Sequence, residues 1–168
     1  MEHNDYRGRN FKSAKLARAN LSRKDLGKCD LRSVDLDSAD LTETVLEDAD
    51  LEGAWLADAK LTGANLTRAN LYMAILYHAD LEGAILKDAE LLGVNLTGAN
   101  LTGADLTRAK LGRSNIETPT LLQGATMLDA NVSQADFTGA LYDRHTRFPS
   151  NFLPEEHGLV ASEDETDE

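Results

Sequence analysis

Apolar residues return at every fifth position of this chain, and so regular an interval selects the fold before any other property is weighed. Leucine stands at 16, 21, 26, 31 and 36 and at each fifth place through Leu111, with Phe11 before the series and Ile116 after it. Two residues ahead of each centre is a small residue, usually alanine, from Ala14 and Ala19 through Ala109; Lys24, Cys29, Val34, Thr44, Val94 and Ser114 are the exceptions. Between the small residue and the centre the chain mostly carries Asp or Asn, as at Asn20, Asp40, Asn65, Asn70, Asp80 and Asp105. Two polar residues or a glycine follow, as in Thr62-Gly63 and Thr102-Gly103. A helix cannot use this spacing, because five residues advance it by about 140° and the leucines would wind onto every side. A straight strand cannot use it either, since an odd interval sends successive leucines to opposite faces. The pattern closes only if the chain bends once per repeat. The small residue and the leucine then share the inner side, the Asp or Asn points outward, and the last two residues turn the corner. The expected product is an all-β solenoid with a leucine-filled axis and polar walls.

The repeat, A-(D/N)-L-(S/T/E)-(G/R/D), recurs more than twenty times and resembles that of the pentapeptide-repeat family over roughly residues 6–142. The plain, Leu-centred form is similar to the cyanobacterial members. The resemblance implies a right-handed quadrilateral β-helix in which four repeats make one square coil, so that residue n stacks near n+20. Cys29 and Lys24 then fall on the narrow inward place. The thiol there reads as a small core residue in preference to a redox group, and the lysine reaches water from the first coil.

After Ile116 the frame slips. Met127, Val132, Phe137 and Tyr142 are the next centres, and counting from Ile116 to Met127 leaves one residue over. The slip falls near 117–122, with a bulge or outward loop at Pro119, which has no ladder donor. The β-helix is therefore assigned to 1–142. Residues 143–160 are assigned to a C-terminal cap, because an open solenoid end exposes a hydrophobic cross-section and unpaired edges. Pro154 followed by Glu155 and Glu156 suits a short helix there. The acidic run 161–168 reads as a disordered tail. The amino end shows no comparable cap, which leaves it open to self-association through that end.

Composition narrows the function. The chain has 168 residues with 17 basic and 29 acidic side chains, a net charge of −12, so a direct role in binding nucleic acid is not expected. No apolar run approaches the ~20 residues that span a bilayer, so no membrane association is expected. The start, MEHNDYRGRN, carries no apolar leader, and the cytoplasm is the expected location. The single cysteine excludes a disulfide framework. His3, His78, His145 and His157 have no metal-ligand spacing, and no metalloprotease, nucleophile-elbow or phosphate-loop motif occurs. No enzyme, cofactor or metal is expected. Asp58 and His78 would stack as neighbours, and a surface ion pair is preferred there to a catalytic dyad.

Two surface features depart from the repeat background. Charge is segregated: residues 1–32 hold nine Lys/Arg and four Asp/Glu, whereas 33–58 hold nine Asp/Glu and no Lys/Arg. The acidic set is Asp35, Asp37, Asp40, Glu43, Glu47, Asp48, Asp50, Glu52 and Asp58. It serves either attraction between coils and solubility or docking of a partner or another copy. Outward positions also turn apolar at Trp55, Tyr72, Met73, Ile75, Tyr77 and Leu92, with Ile85 on another side. Aromatic and Met side chains on an Asp/Asn/Thr surface match the composition of protein interfaces, against the plainer reading of a stiffened wall. The leading functional reading is a non-enzymatic module that binds an unidentified protein partner. The alternative, implied by resemblance to the fluoroquinolone-resistance members, is a DNA mimic acting on a type II topoisomerase such as gyrase. A third is a purely structural or regulatory element.

Overall fold

The backbone turns a corner every five residues, and in the computed structural model, which describes residues 5–115 and 117–162, those turns build a right-handed quadrilateral β-helix. Each wall is a ladder of parallel bridges. One runs Lys15, Asp35, Trp55, Ile75, Asn95, Leu121 and Leu141; the next runs Asn20, Asp40, Lys60, Asp80, Asn100, Thr126 and Arg147. The third carries Asp25, Val45, Asn65, Ile85 and Asp105, and the fourth Asp30, Asp50, Asn70, Glu90 and Lys110.

The hydrogen-bond account of one repeat explains its sequence. Leu66 donates its N–H up to Ile85 O at 2.7 Å, Arg68 to Lys87 O at 2.8 Å, and Asn65 down to Thr44 O at 2.9 Å. Ala69 N–H closes the turn onto Leu66 O at 3.0 Å. The remaining donor, Thr67 N–H, is met by the Asn65 side-chain oxygen at 3.1 Å, which also accepts the Thr67 hydroxyl at 2.6 Å. All five amides of the repeat are thus satisfied. Asp and Asn recur ahead of the leucine because their short acceptor reaches the amide two residues on; they are held at the corner rather than merely solvated. From Gly8 to Arg108 the residue that ends each turn is left-handed, whether Gly63 (φ 66) or Arg68 (φ 57).

Inside, the centres and their small companions are sealed from solvent from Leu26 to Leu111. Three of the odd residues at the small place share one solution. Cys29 Sγ lies 3.0 Å from Tyr6 O, Thr44 Oγ1 lies 2.9 Å from Leu21 O, and Thr120 Oγ1 lies 2.8 Å from Leu91 O. In each case a polar hydrogen reaches the carbonyl one coil below, which removes the cost of burying an unmatched group. Burial raises the Cys29 pKa, so the thiol is a poor nucleophile. Lys24 is half-buried in the first coil.

The register after Leu111 differs from the sequence expectation. Asn95 pairs with Leu121 and Lys110 with Asp136, a separation of 26 rather than 20 residues. Six residues leave the coil, not one, because the regular path resumes at Thr120 and Leu122 rather than at Ile116. Ile116 itself lies outside the described residues. Ser114 N–H donates to Thr118 O at 2.8 Å and closes the excursion.

At the C-terminal end the chain crosses the open axis. A 3-10 helix at Pro154–His157 ends at Gly158, whose φ of 74 turns the chain back. Strand β1 (Leu141–Tyr142) then receives β2 (Val160–Ala161) in parallel, and Ser162 N–H bonds Tyr142 O at 2.7 Å. Ala161 and Ser162, expected in the tail, belong to this last rung; 163–168 lie outside the described residues. Phe152 is the centre of an aromatic cluster there: it stacks on Phe148 at 5.1 Å and on His157 at 4.2 Å, and meets Phe137 edge to face at 5.5 Å between ring centroids. At the other end Tyr6 and Phe11 pack edge to face at 5.9 Å over a half-buried Leu16 and Leu21.

Candidate functional site

The fold brings all six residues of the apolar set to one wall and its two edges. Trp55 and Ile75 are successive members of the first ladder. Tyr72, Met73 and Leu92 occupy the corner that leads the chain onto this wall, and Tyr77 the corner that leads off it. Ile85 sits on the opposite wall, 37% exposed.

Exposure divides the set. Trp55 is 54% exposed and Tyr77 is 41% exposed, while Tyr72, Met73, Ile75 and Leu92 are half-buried. Trp55 borders a groove of about 260 Å³ with Ser13, Lys15, Ser33 and Asp35. Tyr72 and Leu92 border a second groove of about 500 Å³ with Glu52, Asn70, Glu90 and Asn115. Met73 is pressed onto Gly93, where a side chain would collide with its sulfur. Tyr77 stacks on His78 with ring centroids 3.9 Å apart.

Asn115 was not legible as a member of this surface. It stands on the six-residue excursion and accepts the Tyr72 hydroxyl at 2.7 Å, 43 residues away in sequence. The only sequence signal for it is the slipped frame. Leu128, 40% exposed, lies elsewhere, on the corner after Met127.

The acidic set is less uniform than its sequence suggests. Arg68 reaches one coil down to Asp48 and Glu47, both at 2.7 Å; Arg23 meets Glu43 at 2.8 Å, and Arg32 meets Asp50 at 3.4 Å. The hydrogen bond from Arg68 holds Asp48 below the usual carboxylate range. Asp40 is also lowered, chiefly by the Thr42 hydroxyl and amide. Asp35, Asp37 and Glu52 have no cation within salt-bridge distance among the described residues, and Asp58 has only His78 Nδ1 at 4.0 Å. Both members of that last pair are exposed, which fits a surface contact rather than a catalytic dyad.

Among the described residues no group of three or more His, Cys, Asp or Glu side chains is placed to hold a metal ion, and no helix is long and apolar enough to cross a membrane.

A pentapeptide repeat protein from the thylakoid lumen of Arabidopsis thaliana is 35% identical, with 57% of this chain and 67% of that one covered and a TM-score of 0.56. HetL, a pentapeptide repeat protein involved in heterocyst differentiation regulation in the cyanobacterium Nostoc, is 26% identical, with 94% and 84% covered and a TM-score of 0.34. QnrB1, a plasmid-mediated fluoroquinolone resistance protein, is 14% identical, with 96% and 88% covered and a TM-score of 0.39. No curated protein matches the chain. The model of the pentapeptide repeats, in units of eight copies, matches residues 10–48, 44–83 and 74–113. With these intervals overlapping across more than half of its length, the chain belongs to the pentapeptide-repeat family.

Proposed function

We propose that this protein is a non-enzymatic interaction module, a rigid rod that presents one apolar wall to a protein partner. The observation that carries the reading is the convergence of Trp55, Tyr72, Met73, Ile75, Tyr77 and Leu92 on one wall and its edges. An exposed aromatic cluster with a polar border has the make-up of an interface centre. The rod supports it by rigidity: every side chain on the wall hangs from a backbone bonded to the coils above and below, so little ordering entropy is lost on docking.

The acidic band favours this reading over a DNA mimic for gyrase. A mimic of a duplex presents an uninterrupted run of negative charge, whereas here Arg23, Arg32 and Arg68 set three positive charges among Glu43, Glu47, Asp48 and Asp50. The test is affinity capture from the source organism with wild-type protein and the Trp55→Ala/Tyr72→Ala variant. Specific partners present with the first and lost with the second support the wall; identical capture removes it. Inhibition of gyrase supercoiling at micromolar protein would restore the mimic.

A further inference from the structure

Five members of the acidic set lack an arginine partner, and four of them, Asp35, Asp37, Glu52 and Asp58, surround Trp55, while Asp40 lies on the next wall. Asp35 is the next residue down its ladder. Glu52 sits on the corner before Trp55, and Asp58 on the corner after it. Asp37 lies one coil below that second corner and accepts the Ala57 amide at 3.2 Å. The other carboxylates of the set are tied into the body of the rod, Asp40 by Thr42 and the rest by arginines. Asp40 keeps its charge on the next wall, so four of the five carboxylates without an arginine stand on the border of the apolar wall, and Lys15 bounds this acidic field at its N-terminal side.

We infer that this wall receives a basic polypeptide segment of a partner protein, with an apolar side chain set on Trp55 and arginine or lysine side chains on the surrounding carboxylates. The inference rests on the wall being the contact surface and adds the chemistry of what binds there. Three physical effects converge. Opposite charge steers the encounter and fixes orientation. A guanidinium entering the groove between Glu52 and Tyr72 gains both an anion and an aromatic face. Trp55, half-covered and apolar, supplies the area that exposed ion pairs alone do not provide.

The single tryptophan makes the test direct, because its emission reports this wall alone. The full chain is titrated with three acetylated decapeptides, alternating leucine with arginine, serine or glutamate, at low and high salt. The arginine peptide is expected to blue-shift Trp55 emission and to bind about ten-fold more tightly than the serine peptide, the sum expected of a few exposed ion pairs. That advantage is expected to vanish at high salt. It is also expected to vanish in a variant with Asp35→Asn, Asp37→Asn, Glu52→Gln and Asp58→Asn. It should persist in an equally charged control with Glu82→Gln, Asp129→Asn, Glu155→Gln and Glu156→Gln, all of which lie away from this wall. Equal binding of arginine and serine peptides overturns the basic segment and leaves the wall standing. Equal loss in the control overturns it too, by showing attraction to net charge alone. A Trp55 emission untouched by every peptide overturns both readings. Sedimentation that shows a dimer with a buried Trp55 reassigns the wall to a second copy and overturns the partner segment.

Discussion

Trp55 and Ile75 lie opposite one another in parallel register, joined by Leu56 N–H to Ile75 O at 2.7 Å and Ile75 N–H to Ala54 O at 2.9 Å. Both take the place where most repeats carry Asp or Asn, and both thereby give up the side-chain acceptor for the corner amide. At Trp55 the loss is made good from below by Asp37. A cross-strand apolar pair contributes about 0.2–1 kcal/mol, and a made hydrogen bond about 0.5–1.5 kcal/mol. Ile75→Asn is therefore expected to leave stability within about 1 kcal/mol of wild type, with an unchanged circular dichroism spectrum, while partner capture falls. A collapse of thermal stability would make the pair a structural stiffener.

The corner conformation gives a second expectation. Gly103 has φ 66, and a Cβ placed on it meets nothing within 4 Å. Space alone predicts that any residue is tolerated there. Backbone strain predicts otherwise, because β-branched residues are outliers in the left-handed region. Gly103→Val should cost about 1–2 kcal/mol in urea unfolding and Gly103→Asn much less. Equal midpoints for the two variants would show that the corner carries no strain.

Acid should weaken the rod in a defined window. The Arg32 hydrogen bond holds Asp30 down to about 2, and Asp48 and Asp88 are lowered in the same way by Arg68 and Arg108. A carboxylate whose folded pKa lies below its unfolded value contributes stability that is present above the unfolded value of 3.8 and is lost as pH falls toward the folded one. Stability is expected to fall between about pH 4 and pH 2. Because these groups sit on the surface, salt should shrink the effect. Asp30→Asn should flatten its share of the decline, and an unaltered pH profile in that variant would remove Asp30 from the account.

The interior was legible because its constraint is repeated and local. Leu66 and Ala64 are sealed for the same reason as Leu86 and Ala84, one coil on. The 20-residue stacking already sets the acidic and apolar sets side by side, but which carboxylates the arginines claim was not visible along the chain, since Arg68 takes both Asp48 and Glu47. The path after Leu111 was obscured by Thr120. A threonine does not resemble the alanine whose place it fills, so the count ran on from Ile116 and missed Leu122. The final rung was hidden for a different reason: Val160-Ala161 is too short to carry a pattern, and only the pairing with Leu141-Tyr142 defines it.

Thr120 is also the most exacting place to test the register. Its side chain is fully buried where the excursion rejoins the coil. The hydroxyl lies 2.8 Å from Leu91 O and 2.9 Å from Gly112 O, and it accepts Gly93 N–H at 3.1 Å. One oxygen thus holds both coils and the start of the excursion. Thr120→Val keeps the volume and removes the hydroxyl, leaving the Gly93 amide and the Gly112 carbonyl without this partner while Leu91 O keeps the Val94 N–H, at a cost of about 1–3 kcal/mol. Thr120→Ser keeps the hydroxyl and should recover most of it. Hydrogen exchange is expected to speed up at Gly93 in the valine variant, while Leu31 and Leu36, which bond to Asp50 and Trp55 two coils farther from the excursion, keep their protection. If valine proves as stable as threonine and Gly93 remains protected, the hydroxyl does not pin the excursion and the 26-residue coil is held by its backbone pairing alone.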